Sequence, residues 1–346
     1  MKKRDFYFDN AKFILIFLVV FGHLLRSFIE ENEVVLTLYK VIYTFHMPAF
    51  ILISGYFAKG IFKKGYIPKI AKKLILPYLI FQFFYSVYYY FLYNKDAVKV
   101  DPLDPNWSLW FLLSLFFWNL LLLLFAKYKA AFSISTALFI GLFVGYVDWI
   151  NNYLSLSRTF VFFPLFLIGY YMKKEHFYSL IKPHVKIVSL LIITSLFIGF
   201  YIQPDINYEW LLGSKPYSEL DVSPLIAIFT RFGFYLLSLM MVLCFFSIVP
   251  RKQYFFTSLG KNTLYVYLLH GFFIRFFRAS EAPSFFSDPD SFLLLACLSL
   301  LLTILLSSKI ITSFAQPLIE LKINKLKGMN VRLRTILHFY RKKRLN

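Results

Sequence analysis

Long apolar runs separated by short polar segments dominate the pattern of residues along this chain. We count ten such runs, most of roughly the 17 to 25 residues that a helix needs to cross the hydrocarbon core of a bilayer. Their approximate limits are residues 10–29, 38–58, 70–93, 107–126, 131–148, 159–172, 186–203, 224–249, 259–277 and 291–316. The pattern predicts an all-α, polytopic integral membrane helix bundle with about ten transmembrane helices.

The charged residues of the loops alternate from one side of this predicted bundle to the other. Basic residues gather in every second loop, around Lys63, Lys127, Lys173 and Arg251, whereas 14 of the 18 acidic residues fall in the intervening loops. Since loops rich in Lys and Arg stay on the cytoplasmic side, we expect a multi-pass protein of the cell membrane with both termini cytoplasmic. Residues 1–317 then form the membrane domain, and residues 318–346 a basic cytoplasmic amphipathic tail.

Composition agrees with a membrane protein and narrows its partners. Hydrophobic residues make up 59% of the chain and aromatic residues 21%, and the formal net charge is +20. The positive charge lies in the loops and tail that membrane topology places in the cytoplasm, and no nucleic-acid-binding motif accompanies it. Membrane lipids rather than nucleic acid are therefore the expected partners of the tail. Cys244 and Cys297 both lie inside apolar runs, which indicates neither a disulfide framework nor a thiol metal site.

The first apolar run carries the most informative pair of polar residues, Lys12 and His23. Eleven steps along a helix make about three full turns, so the two side chains share a face and lie about 16 Å apart. Charged and titratable groups at such depths are costly in lipid, so this register predicts a polar interior or a site. In the alternative interpretation, Lys12 reaches the inner surface or pairs with Asp9.

Other polar residues are expected at similar depth near the outer surface. Three histidines and two arginines on five runs fall in the outer half of the predicted bundle: His23, His46, His270, Arg158 and Arg231. Near the same surface lie Asp148, Trp107 and Trp110. Each also has a structural interpretation, since an intramembrane histidine often only bonds a backbone carbonyl, and tryptophans often form an interfacial belt.

Several motifs in this order resemble the acyltransferase 3 family of integral membrane acyltransferases. They are Asp9-x-x-Lys12-x10-His23, Phe45-His46-Met47-Pro48-Ala49-Phe50-x3-Ser54-Gly55-Tyr56, Leu76-Pro77-Tyr78, Trp107-Ser108-Leu109-Trp110-Phe111-Leu112, Phe166-Leu167-Ile168-Gly169-Tyr170-Tyr171, and residues 259–270, which end at His270. Within the family, the chain is most similar to the fucose 4-O-acetylase-like branch and to capsular polysaccharide O-acetyltransferases. It departs from many members in carrying Lys12 where they have arginine, which keeps the charge but not the bidentate fork.

The resemblance implies transfer of an acyl group, typically acetyl, from cytoplasmic acetyl-CoA to a hydroxyl of a cell-surface glycan in the capsule or wall. Acetyl-CoA would be a substrate, and no cofactor would be bound permanently. The catalytic residues would be His23 as general base, Lys12 in register with it, and His46, Arg158 or Arg231 to stabilise the oxyanion. Lys12, Lys72 and Lys73 would bind the donor, and the expected acceptor-binding residues are Asp9, Trp107, Trp110, Asp148 and His270.

Two alternatives from other classes remain at this point. A transporter or flippase could move a lipid-linked sugar or an acyl donor without catalysis, although the paired broken helices typical of such proteins are not evident. A polysaccharide polymerase would be expected to carry a large outer loop, whereas the longest here, about residues 203–223, is modest.

Overall fold

The computed structural model describes residues 5–286 and 291–321, and this part of the chain is helical with no β-strand. It contains thirteen α-helices: α1 (Phe6–Leu25), α2 (Glu33–Phe57), α3 (Tyr66–Leu92), α4 (Trp110–Phe125), α5 (Ala130–Phe143), α6 (Leu156–Tyr171), α7 (Lys174–Ser179), α8 (Pro183–Ile202), α9 (Glu209–Leu212), α10 (Pro224–Ile248), α11 (Thr263–Ala279), α12 (Ser291–Ser307) and α13 (Lys309–Glu320). The predicted all-α membrane bundle is therefore confirmed.

Each of the ten predicted runs contains one of these helices, but the last run was wrongly assigned to a single helix. It divides at Ser308, where α12 and α13 meet at an angle of 62°. Ser308 is extended and its side chain caps α13 by accepting a hydrogen bond from the Ile311 amide at 3.4 Å. By length and composition, seven helices of the described residues can cross a membrane, or eight if this bent pair is one span. Residues 322–346, most of the predicted tail, lie outside the described residues.

Helices α1 and α2 form the centre of the bundle. Their apolar stretches are 72% and 67% buried, whereas that of α8 is only 11% buried. α1 packs against α2, α11 and α12, and α2 packs in addition against α6, α8 and α10. Polar side chains within the apolar stretches of α1 and α2 therefore lie in the interior of the bundle rather than at its outer surface.

Two glycines allow α2 and α6 to cross in direct backbone contact. A Cβ atom on Gly55 would lie 1.9 Å from the carbonyl oxygen of Phe166, and one on Gly169 would lie 1.9 Å from the carbonyl oxygen of Leu52. Small residues at such crossings let membrane helices approach closely. The crossing fixes α6, which carries Arg158, against α2, which carries His46.

The start of α1 is fixed by hydrogen bonds to the segment between α10 and α11. The side-chain Nδ2 of Asn10 donates to the carbonyls of Pro250 and Lys252 at 2.8 and 2.9 Å, and its side-chain Oδ1 accepts from the Thr257 hydroxyl at 2.6 Å. Asn10 is fully buried, so these bonds satisfy polar atoms that have no access to water. The register of α1, and with it the position of Lys12, is fixed at this end.

Asp5 ties the first helix to α7 at the same end of the bundle. Its carboxylate caps α1 and lies 2.8 Å from the Lys174 ammonium, and the Tyr178 hydroxyl donates to it at 2.7 Å. Burial opposes ionisation, but the hydrogen bonds from Lys174 and Tyr178 outweigh it and hold the pKa of Asp5 below its ordinary value.

Candidate active site

Two adjoining cavities lie inside the bundle. The first, which we call the lysine cavity, has a volume of about 290 Å³ and is lined by Lys12 and Lys73 among mainly apolar residues. The second, the histidine cavity, has a volume of about 320 Å³ and is lined by His23 and His46. Val19, Met47 and Tyr267 line both. Helix α1 therefore presents Lys12 to one cavity and His23 to the other.

Tyr43 and Trp107 contact the ring of His23, and Arg278 contacts its backbone. Its Nδ1 lies 3.2 Å from the Tyr43 hydroxyl, and its ring centroid lies 4.5 Å from that of Trp107. The Arg278 guanidinium donates to the His23 carbonyl at 2.5 Å. No described residue hydrogen-bonds Nε2 of His23, and the side chain is only half-buried. When Nδ1 donates to the Tyr43 hydroxyl oxygen, Nε2 of the neutral ring is an acceptor with no partner among the described residues.

His46 and His270 both use Nδ1 to bond the carbonyl four residues earlier. The distances are 2.8 Å to Ile42 and 3.0 Å to Val266. Because a carbonyl oxygen only accepts, Nδ1 carries the proton and Nε2 of the neutral ring is an acceptor. In this tautomer His46 has no N–H to offer an oxyanion. The ring of His270 stacks on that of His23 at 5.5 Å, and its Nε2 is buried with no partner in the described part of the chain.

The structure separates the two predicted arginines. Arg158 lines the histidine cavity, where it lies over the ring of Trp110 and donates to the Asn152 side chain at 2.8 Å. Arg231 lies elsewhere, buried beside a small separate cavity, with its guanidinium carbon 5.3 and 5.4 Å from the ring centroids of Trp210 and Tyr217. Arg231 therefore does not reach the space into which His23 faces.

The remaining predicted residues divide in the same way. Trp107 and Trp110 line the histidine cavity. Asp148 is exposed and accepts a hydrogen bond from Ser218 at 2.6 Å, away from both cavities. Asp9 is buried and pairs with Lys12 at 2.9 Å, so the pairing considered as an alternative for Lys12 is present. Lys72 is exposed and does not line the lysine cavity, whereas its neighbour Lys73 does.

Among the residues of the histidine cavity that the sequence patterns did not single out are Tyr43, Arg26, Arg275 and Arg278. A signal for the arginines was available. They lie at those ends of α1 and α11 that the charge alternation places outside, where the positive-inside rule predicts few basic residues. An arginine in such a position calls for a local partner or a function.

An all-α bundle with helices long and apolar enough to cross a membrane, and with lysine and histidine side chains lining interior cavities, defines a polytopic membrane protein. Residues 5–308 match the model of the acyltransferase 3 family, described as an acyltransferase domain. The chain belongs to this family, and its long apolar helices are those of a multi-pass membrane protein.

Two relatives match over part of their length. Nodulation protein NolL of Mesorhizobium japonicum is 45% identical over 83 residues, which is 22% of this chain and 22% of the relative. Nodulation protein NolL of Sinorhizobium fredii is 53% identical over 60 residues, 16% of each chain. The matched segments thus span no more than 22% of either relative's length. No solved structure matches the chain.

Proposed function

We propose that the protein is an O-acetyltransferase of the cell membrane. It moves an acetyl group from cytoplasmic acetyl-CoA to a hydroxyl of an extracytoplasmic polysaccharide of the capsule or wall. The observation that carries this proposal is the pair of adjoining cavities, since one helix presents Lys12 to the first cavity and His23 to the second. A donor that enters from one side of the membrane and an acceptor from the other would meet between them.

The lysine cavity has the chemistry that the donor requires. Lys73 and Lys12 supply positive charge for the phosphates of coenzyme A, Lys12 by exchanging its ion pair with Asp9 for one with a phosphate. Most of the lining is apolar, which suits the pantetheine arm. That arm is of the same order of length as the separation of Lys12 and His23, about 16 Å along the helix. The thioester of a bound donor would then lie near Val19, Met47 and Tyr267, where the cavities adjoin.

His23 is the base in this proposal. Its Nε2 takes the proton of the acceptor hydroxyl while the hydroxyl oxygen attacks the thioester carbonyl carbon, and a tetrahedral oxyanion forms. When the intermediate collapses, the carbon–sulfur bond breaks, the coenzyme A sulfur leaves with the electron pair, and the proton on His23 passes to it. The contact between Nδ1 and Tyr43 holds the ring in position for both proton transfers.

The oxyanion needs a donor or a positive charge close to the reacting carbon. Of the three residues expected to supply it, Arg158 has the most suitable position and chemistry. It lines the same cavity as His23, whereas Arg231 does not, and the neutral tautomer of His46 has no free N–H. We therefore assign Arg158 to this role.

The test compares cell-surface polysaccharide from cells that express the intact protein, the His23→Ala variant, the His184→Ala variant, or no protein. His184 is an exposed histidine at the start of α8 and serves as the matched control. We expect proton NMR signals of O-acetyl methyl groups only with the intact protein and with His184→Ala. A lost general base commonly reduces the rate by about 10² to 10⁴-fold, so His23→Ala should leave no detectable signal.

Consumption of acetyl-CoA by the purified protein tests independently whether acetyl-CoA is the donor. Equal O-acetyl content in all four samples would overturn the proposal, and changes in polymer amount or length alone would favour transport or polymerisation. Normal acetylation by His23→Ala would instead remove His23 from the mechanism. Western blots and thermal melts of both variants establish that insertion and folding are unchanged.

A further inference from the structure

Four arginines line the histidine cavity, and no acidic residue lines it. They are Arg26 at the end of α1, Arg158 in the first turn of α6, and Arg275 and Arg278 in the last two turns of α11. All four are half-buried. The cavity therefore holds about four positive charges within one volume of about 320 Å³.

The partners of these guanidinium groups in the described residues are neutral. Arg26 donates to the Tyr208 hydroxyl at 2.7 Å, Arg158 to the Leu212 carbonyl and the Asn152 amide, and Arg278 to the His23 carbonyl. Arg275 lies over the rings of Trp107 and Tyr89, at 4.8 and 5.4 Å from their centroids. None of the four forms an ion pair within the part of the chain that the structure describes.

Two of the guanidinium groups also have unused donors. The Nε atoms of Arg275 and Arg278 are buried and have no hydrogen-bond partner among the described residues. Leaving a charged donor unpaired in a partly dehydrated site is costly, and ionisable groups retained inside a membrane bundle commonly mark a substrate or ion pathway. The positive charge and the unpaired N–H donors of the cavity are thus suited to an anionic ligand.

We infer that the acceptor is an acidic glycan, whose carboxylate or phosphate group binds the arginines while a nearby hydroxyl reaches His23. This inference rests on the proposed function and names the substrate class of the same site. Guanidinium groups bind both anions in a bidentate manner. The rings of Tyr39, Trp107 and Trp110 line the same cavity and offer apolar faces against which a sugar ring can pack.

The donor phosphates are the competing occupant, and the arrangement of the cavities argues against them. In the proposed function the phosphates have cationic partners in the lysine cavity, at the other end of α1. The arginines lie at the end that the loop charges place outside, away from cytoplasmic coenzyme A. The anion that reaches this end from outside is part of the acceptor.

The experiment measures binding without any donor, so that it does not depend on acyl transfer. Intact protein in phosphatidylcholine nanodiscs is titrated with a hyaluronan tetrasaccharide, with the same tetrasaccharide after reduction of its carboxyl groups, and with N-acetylglucosamine 1-phosphate. Binding is read from tryptophan fluorescence, because Trp107 and Trp110 line the cavity. The carboxylate and phosphate arms identify which anion is preferred.

We expect at least one acidic probe to bind about tenfold or more tightly than the reduced sugar, the change that one charge-assisted hydrogen bond provides. Arg275→Gln should abolish this preference, and Arg275→Lys should retain part of it. Arg251→Gln is the matched control, since Arg251 is exposed and lies over Tyr178 at the opposite end of the bundle. It should bind all three probes as the intact protein does.

Equal affinity for the acidic and reduced sugars would overturn the inference, and so would no binding of either acidic probe. Displacement of the acidic sugar by desulfo-coenzyme A, with loss of desulfo-coenzyme A binding in Arg275→Gln, would assign the arginines to the donor instead. Failure of the proposed function appears differently, as surface glycan with no protein-dependent O-acetyl groups while the preference for acidic sugars persists.

Discussion

Gly22 and Tyr43 together position the reactive ring at the scale of single residues. A Cβ atom on Gly22 would lie 2.9 Å from Cε2 of Tyr43, so the glycine gives the tyrosine room to approach α1. The Tyr43 hydroxyl then reaches Nδ1 of the adjacent His23. Orientation of a histidine through its second nitrogen is a common way to leave the other nitrogen for chemistry.

The neighbours Lys72 and Lys73 permit a matched test of the donor site. Only Lys73 lines the lysine cavity, although both are exposed lysines of α3. We expect Lys73→Met to raise the KM for acetyl-CoA about two- to fivefold, the value of one solvent-screened ion pair, and Lys72→Met to leave it unchanged. Steady-state kinetics at low and high salt check this, and an equal effect of both variants would place the phosphates outside the cavity.

The crossing of α2 and α6 carries a prediction at the scale of elements. Gly55 and Gly169 each face a carbonyl oxygen that a Cβ atom would approach to 1.9 Å, whereas Gly199 in α8 has open space around it. We expect Gly55→Ala and Gly169→Ala to destabilise the protein by about 1–3 kcal/mol through overpacking. Gly199→Ala should be neutral or slightly stabilising, because alanine favours a helix more than glycine does.

Thermal unfolding in detergent, followed by tryptophan fluorescence, measures these differences. The alanine at position 199 controls for the general effect of replacing a membrane-helix glycine. If all three variants melt alike, α2 and α6 do not cross in direct contact. We also expect Gly55→Ala and Gly169→Ala to lower acyl transfer, because the crossing holds Arg158 against the helix that carries His46.

Orientation across the membrane is a property of the whole molecule, and the charge alternation predicts it. In a background with Cys244 and Cys297 replaced by serine, we expect a membrane-impermeant maleimide to label Glu31→Cys on intact cells. Lys64→Cys should be labelled only after lysis, because its loop is predicted to be cytoplasmic. The opposite pattern would reverse the sides assigned to donor and acceptor.

Much of the architecture follows from the sequence because it depends on local properties. Each apolar run contains a helix, since a backbone in lipid must satisfy its own hydrogen bonds. The register of Lys12 and His23 follows from helical geometry along one continuous element, and both residues line the interior cavities. The break at Ser308 was missed because an apolar run does not reveal where a capping serine ends one helix and begins another.

Which side chains from different helices meet in one cavity was decided only by tertiary structure. The predicted depth in the membrane grouped Arg158 with Arg231. The rotation of each helix about its axis and the helices it packs against place only Arg158 in the cavity of His23. The same packing brings Tyr43, Arg275 and Arg278 around that ring from α2 and α11. Sequence fixes the depth and helical face of each residue, whereas the side chains of neighbouring helices decide which faces meet, and a single sequence pattern does not contain that information.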